Sequence, residues 1–239
     1  MSAFEWLANM ATGIGLTLSG QACPIPPEPV VVVRPLEEPL KTDFTKTSVG
    51  INEVLRKPVA VPIPHTNRSL GGLMMIEMTA HTNVQFGGDH ARDGNGTCIW
   101  PSRVDINLLL AGTLYVNQIY DPGSCMHDAI AEHEMEHYMK GKDLVLRELS
   151  TVQRAARAKV DEIGVIGPLS AEQARAQGGP IGDAITQVVQ REIDRLNKEQ
   201  EKVQAAHDTA IENLETATKC SGKGRYIHTP PQLPADYRN

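Results

Sequence analysis

Apolar and polar residues alternate in several short runs through the first half of the chain. Between about residues 47 and 120 these runs are separated by pairs of glycine, asparagine and proline that favour turns. The runs are Val59–Ile63, Leu73–Val84, Val104–Leu110 and Leu114–Tyr120, and the turn pairs are Gly71-Gly72, Gly87-Gly88, Asn95-Gly96 and Pro122-Gly123. The pattern predicts a small sheet with hairpins.

The second half has the pattern of helices. Residues 125–163 contain no proline and are compatible with one long helix. Residues 164–182 are broken by Gly167-Pro168 and Gly179-Pro180, and Ser170 with Gln173 predicts the cap of one short helix there. A second long helix is expected over 183–219.

Apolar residues in that second helix recur at alternating spacings of three and four, which is the seam of a two-stranded coiled coil. They are Val189, Ile193, Leu196, Val203, Ala210, Leu214 and Ala217. Two long helices joined by a loop should fold back as an antiparallel hairpin. The predicted fold class is therefore α+β, a small sheet followed by a helical hairpin.

Proline and small residues mark the ends of the chain. Residues 1–23 have the apolar composition of a signal or anchor segment, and Cys23 is a candidate for lipidation. Residues 24–46 contain closely spaced prolines and predict an extended tether outside the sheet. One domain is then expected over 47–219, with the sheet at 47–120 and the hairpin at 125–219, followed by a tail at 220–239.

Charge and cysteine content narrow the function classes. The net charge is −6 and no run of basic residues is present, so nucleic acid is not an expected partner. No apolar stretch approaches the roughly 20 residues of a transmembrane helix. The four cysteines form no CxxC pair, which favours disulfides and an exported protein, periplasmic or extracellular.

The segment His133-Glu134-Met135-Glu136-His137 carries the strongest candidate chemistry. On a helix, residues four apart lie one above the other, so His133 and His137 present two imidazoles to one point. Zinc needs such ligands, and Glu134 beside that point is suited to act as general base. Glu136 should point away into solvent. A chance occurrence is the competing explanation, but the position on a long helix directly after a strand favours the functional one.

The hairpin supplies a geometric argument for a third zinc ligand. The motif and residue 209 lie at equal distances from the loop, about 40 Å at about 1.5 Å per residue, so they should face each other. Near that position stand His207, Asp208 and Glu212, and the apolar seam continues onto His207. The same count places Cys125 opposite residue 219, which predicts a disulfide between Cys125 and Cys220. Cys98 would then pair with Cys23 or remain a buried thiol.

Through His133 to His137 the chain resembles the zincin metallopeptidases. More loosely, it resembles a poorly characterised group of predicted secreted bacterial zinc proteases in which a long helical return follows the motif. The resemblance implies a Zn²⁺ cofactor, a protein or peptide substrate and a substrate-aligning edge strand, here Leu114–Tyr120. It also supports Glu212 as a third ligand, because some zincins use a downstream helical glutamate. Asp143 occupies the last position of the metzincin extension, but Lys140 stands where that pattern has glycine.

Two functions follow as hypotheses. The first is a zinc metallopeptidase with Glu134 as general base and His133, His137 and His207 as ligands, with Glu212, Asp208 and Asp143 as alternatives to His207. The second is a non-catalytic interaction module, in which a stapled helical hairpin holds a structural or vestigial metal site.

Overall fold

The computed structural model describes residues 23–55, 71–207 and 219–220. Within them the fold is α+β, as the sequence predicted. The strands are β1 (Val30–Glu37), β2 (Lys41–Asp43), β3 (Gly72–His90), β4 (Thr97–Val116) and β5 (Ile166–Leu169). The helices are α1 (Ser48–Leu55), α2 (Cys125–Ile163) and α3 (Ala171–His207). The predicted run Val59–Ile63 lies outside the described residues.

The long strand β4 organises the sheet. One of its edges pairs antiparallel with β3 along the whole of both strands. The other edge pairs in turn with β5 (antiparallel), β1 (parallel) and β2 (parallel). The alternating residues Val104, Ile106, Leu108, Leu110, Leu114 and Val116 are all buried and form the centre of the core.

Two of the predicted strand boundaries are wrong. Gly87-Gly88 does not form a turn, because β3 continues through it to His90; a Cβ atom at Gly87 would lie 2.6 Å from Nε1 of Trp100, so the glycine serves close packing instead. Likewise the predicted runs Val104–Leu110 and Leu114–Tyr120 are not separate strands, because β4 contains the first run and the second as far as Val116. The predicted turn at Asn95-Gly96 is confirmed, with positive φ at Gly94 and Gly96.

The proline-rich segment is not a tether. Val30–Glu37 and Lys41–Asp43 form strands beside β4, contrary to the expectation that prolines would keep residues 24–46 out of the sheet. The run Val30–Val33 contains no proline and favours a strand, and Pro35 lies in a strand with β4 on one side. The folded unit therefore begins before residue 47.

Helices α2 and α3 cover one face of the sheet. A capping box begins α3, in which the Ser170 N–H donates to Oε1 of Gln173 (2.9 Å) and the Gln173 N–H donates to Oγ of Ser170 (3.2 Å). This confirms the predicted cap, but the helix is not short: it runs through Pro180 to His207. Burial of Ile181, Ile185 and the apolar residues beyond them outweighs the roughly 3 kcal/mol that an internal proline costs.

Contacts between α2 and α3 join residues in reversed order along the chain. His137 contacts Gln204, Gly141 lies against Gln200, and Arg195 donates to Glu148 at 2.6 Å. The Arg195 hydrogen bond holds the pKa of Glu148 below its usual value. Among the described residues, the helices include none that combines the length and apolarity needed to cross a bilayer.

Two disulfides join cysteines that are far apart in the sequence. Cys125 bonds to Cys220, as the equal-distance count predicted, and Cys23 bonds to Cys98. The pairing of Cys23 corrects the expectation of a lipid anchor, because a lipid thioether would need the sulfur that forms this disulfide. Two disulfides suggest an oxidising, exported compartment.

Tyr138 offers a test of how the motif helix sits on the sheet. Its side chain is fully buried, and a Cβ atom at Gly112 would lie 2.7 Å from the ring. We expect Gly112→Ala to lower the free energy of unfolding by about 1–3 kcal/mol through overpacking. Gly182→Ala is the control, because nothing lies within 4 Å of its added methyl and alanine favours helix. Urea unfolding should separate the two, and equal stability of both variants would contradict the packing.

The disulfide pattern is tested by peptide mass mapping of the unreduced protein, which should find Cys125 linked to Cys220 and Cys23 linked to Cys98. The Cys125 bond spans 95 residues, so replacing both of its cysteines by serine should cost about 4.7 kcal/mol in the chain-entropy model. Recovery of free thiols at all four positions would remove the argument for an oxidising compartment.

Candidate metal centre

Helix α2 presents the motif histidines. It begins at the N-cap Ser124, whose Oγ accepts from the His127 N–H at 3.2 Å. One side of the helix packs on the sheet through residues such as Ile130 and Tyr138. His133 and His137 are one turn apart on a different side, and their Nε2 atoms are 3.2 Å apart.

His207 reaches the same place from the end of α3. Its ring stacks on that of His133 with centroids 5.0 Å apart, and its centroid is 4.5 Å from that of His137. Ligand atoms of the three histidines lie within 4.8 Å of one another. His137 and His207 are each only 4% exposed. The structure thus brings together the three histidines that the motif, the distance count and the seam had selected.

The geometry of the cluster fits a zinc ion. Two imidazole nitrogens bound to one tetrahedral zinc at 2.0–2.1 Å are separated by about 3.3 Å. The observed separation of 3.2 Å between Nε2 of His133 and Nε2 of His137 agrees with that value. Three imidazoles are also a donor set that zinc accepts in catalytic sites. The two ring nitrogens are therefore already at the separation that a shared zinc would require.

His207 would need a small rearrangement. Its Nδ1 contacts Nζ of Lys140, and its Nε2 lies 3.2 Å from Oε2 of Glu136. A lysine ammonium only donates, so Nδ1 accepts there and Nε2 faces the carboxylate. Binding a cation through either nitrogen therefore replaces one of these contacts. The contact of Lys140 with His207 was not predicted from the sequence, and Glu136, expected to point into solvent, also contacts the cluster.

Glu134 lies on the sheet side of the motif. The residue as a whole is 8% exposed. A Cβ atom at Gly72 would lie 2.9 Å from Oε1 of Glu134 and 2.5 Å from Cγ2 of Ile130. The missing side chain at the first residue of β3 therefore makes room for the Glu134 carboxylate. This role of Gly72 was not foreseen, since a Gly-Gly pair at a strand start reads as a simple turn.

The edge strand was assigned to the wrong residues. Leu114 and Tyr115 have partners on both sides, in β2 and in β3, so this segment is interior to the sheet. In the described part of the chain, β3 pairs only with β4, which leaves its outer edge without a strand. The edge strand next to Glu134 is therefore β3, which begins at Gly72.

Of the other candidate ligands, Asp143 is the one that the structure describes, and it does not join the cluster. Asp143 is exposed on α2 and is absent from the group of histidines. Asp208 and Glu212 lie outside the described residues. Gln204, which the sequence did not single out, contacts His137 twice: Oε1 of Gln204 meets Nδ1 of the ring, and Nε2 of Gln204 donates to the His137 carbonyl oxygen at 3.0 Å.

Comparisons of the chain with protein-family models, with curated proteins and with solved structures found no match.

The choice of third ligand can be tested by zinc titration. We expect His207→Ala to weaken zinc binding by about two orders of magnitude or more, because one of three protein ligands is lost. Glu212→Ala and Asp143→Ala should keep the affinity of the parent protein. The measurement is competition with a chromophoric chelator. Full affinity in His207→Ala together with loss in Glu212→Ala would assign a site of two histidines and one glutamate instead.

Proposed function

We propose that this chain is a zinc-dependent hydrolase that cleaves peptide (amide) bonds in a protein or peptide substrate. The observation that carries the proposal is the meeting of His133, His137 and His207 next to a buried glutamate in the HExxH spacing. His207 is far from the motif in sequence, so its arrival at this point is a property of the fold. We would not expect a core histidine without a role at this site to stack on a motif histidine.

The architecture proposed for this enzyme is zincin-like. It has a motif helix packed beside a sheet, a strand β3 whose outer edge carries no described strand, and a return helix. The reversed contacts between α2 and α3 support an antiparallel helical hairpin, with the third ligand on its second arm. A substrate aligned along the start of β3 would pass beside Gly72 and Glu134.

The residues divide the chemistry between them. His133 and His137 through Nε2, and His207 after releasing one of its present contacts, would hold the ion. When bound, Zn²⁺ supplies a Lewis acid that makes water nucleophilic near neutral pH. The Glu134 carboxylate accepts the proton of the attacking water and delivers it to the leaving amine nitrogen. The carboxylate lies over Gly72, where a larger side chain would leave no room for it.

A structural metal site in a non-catalytic interaction module is the second candidate. It is favoured by the burial of His137 and His207, because structural zinc sites are closed to solvent. The two functions differ in what metal removal does. Chelation should abolish hydrolysis in an enzyme, whereas in a structural site it should mainly lower the melting temperature while no substrate is cleaved by either form.

The proposed compartment is the periplasm or the extracellular space. The two disulfides support export. Residues 1–22, where a signal segment was expected, lie outside the described residues.

Glu134→Gln tests the enzyme proposal. The amide cannot accept a proton, so hydrolysis of a fluorescent casein or peptide-library substrate should fall by about 10²–10⁴-fold while zinc binding is retained. Glu132→Gln is the matched control, since Glu132 is an exposed neighbour that pairs with Lys219 at 3.0 Å. The enzyme proposal fails if the protein binds no zinc, or if Glu134→Gln cleaves as fast as the parent.

A further inference from the structure

The two contacts of Gln204 with His137 determine how its amide is oriented. The His137 carbonyl oxygen can only accept a hydrogen bond, so the group that faces it must be the amide nitrogen of Gln204, 3.0 Å away. The amide oxygen then necessarily faces Nδ1 of the same histidine, where the structure has it. The usual ambiguity between the oxygen and nitrogen of a glutamine is removed by the backbone.

The orientation of Gln204 determines the tautomer of His137. An amide oxygen only accepts, so Nδ1 of His137 must carry the proton. A neutral imidazole has one such proton, and its Nε2 therefore holds a lone pair. That lone pair faces Nε2 of His133, which is 3.2 Å away. A shared cation would sit between these two nitrogens. The contact between the two Nε2 atoms does not by itself distinguish the two tautomers of His137, because either nitrogen could donate.

Close packing of the helices makes these contacts possible. One turn after His137, a Cβ atom at Gly141 would lie 2.8 Å from Nε2 of Gln200, so the missing side chain lets α3 approach α2 closely. Gln200 is one turn before Gln204 on α3 and is 5% exposed. Gln204 therefore lies on α3 between Gln200, which packs against Gly141, and His207, which joins the histidine cluster.

We propose that Gln204 is a positioning residue that holds His137 as the Nδ1–H tautomer, with the Nε2 lone pair directed at the metal. The proposal rests on the metal centre of the proposed function. It makes α3 contribute twice to the site, through His207 as a ligand and through Gln204 as the group that orients a ligand on α2. Outer hydrogen bonds of this kind raise the basicity of a ligating histidine and fix the plane of its ring.

The test compares Gln204→Leu, which can neither donate nor accept, with Gln204→Glu, which keeps an acceptor for Nδ1–H. Zinc affinity of the full-length protein is measured by chelator competition. We expect Gln204→Leu to bind zinc about 10–100-fold more weakly, and Gln204→Glu to recover most of that loss. Val189→Ala is the control, because it removes buried contact area from the same helix far from the histidines. It should lower stability and leave zinc affinity unchanged.

A second readout does not depend on metal. Nitrogen-15 chemical shifts of His137 in the metal-free protein should report a protonated Nδ1 in the parent and a mixture of tautomers in Gln204→Leu. The proposal is overturned if Nδ1 is unprotonated in the parent, or if Gln204→Leu keeps the tautomer and the affinity of the parent. A parent protein that binds no zinc would refute the proposed function alone, and the tautomer measurement would still decide the role of Gln204.

Discussion

The packing of α3 against α2 is the contact on which the candidate site depends. It places residues that are 67 positions apart in the sequence within hydrogen-bonding distance. Val189, Ile193 and Leu196 are almost completely buried along α3, and each contributes about 1.5–3 kcal/mol relative to exposure. The connection between the helices is short, so the entropy lost on bringing them together is small. A strong apolar contact therefore positions polar groups that could not assemble by themselves.

The sheet supplies the second constraint. Tyr138 packs over Gly112 of β4, and Glu134 packs over Gly72 of β3. These two glycines on neighbouring strands allow α2 to approach the sheet closely. These contacts and those with α3 involve different sides of α2. The histidines therefore face α3, and the glutamate faces the sheet. Because His133, Glu134 and His137 lie on the same helix, their backbone positions relative to one another are set by α2 itself.

The charged groups around His207 distinguish it from its two partners. His133 and His137 already have their Nε2 atoms at the separation that a shared zinc requires. His207 is held between Lys140 and Glu136, which lie one turn apart on the same side of α2. His207 would have to exchange one of those contacts for a cation, so of the three proposed ligands it is the one whose surroundings would change on binding. The Cys125–Cys220 disulfide ties the chain beyond His207 back to the start of α2, which limits how far that end can separate.

The sequence by itself determined the features that depend on local periodicity. Helical spacing put His133 and His137 on one side of α2, the seam of α3 turned His207 inward, and equal distances from the connection paired Cys125 with Cys220. The α+β class followed from the change of pattern at residue 125. Tertiary structure alone decided the rest. Val30–Glu37 became a strand because β4 offered an edge for its backbone, and Pro180 was accommodated because burial outweighed one lost hydrogen bond. The contacts of Gln204 with His137 and of Gly72 with Glu134 come from close approach between segments, and a glutamine or a glycine carries no sequence signal for the neighbour it will meet.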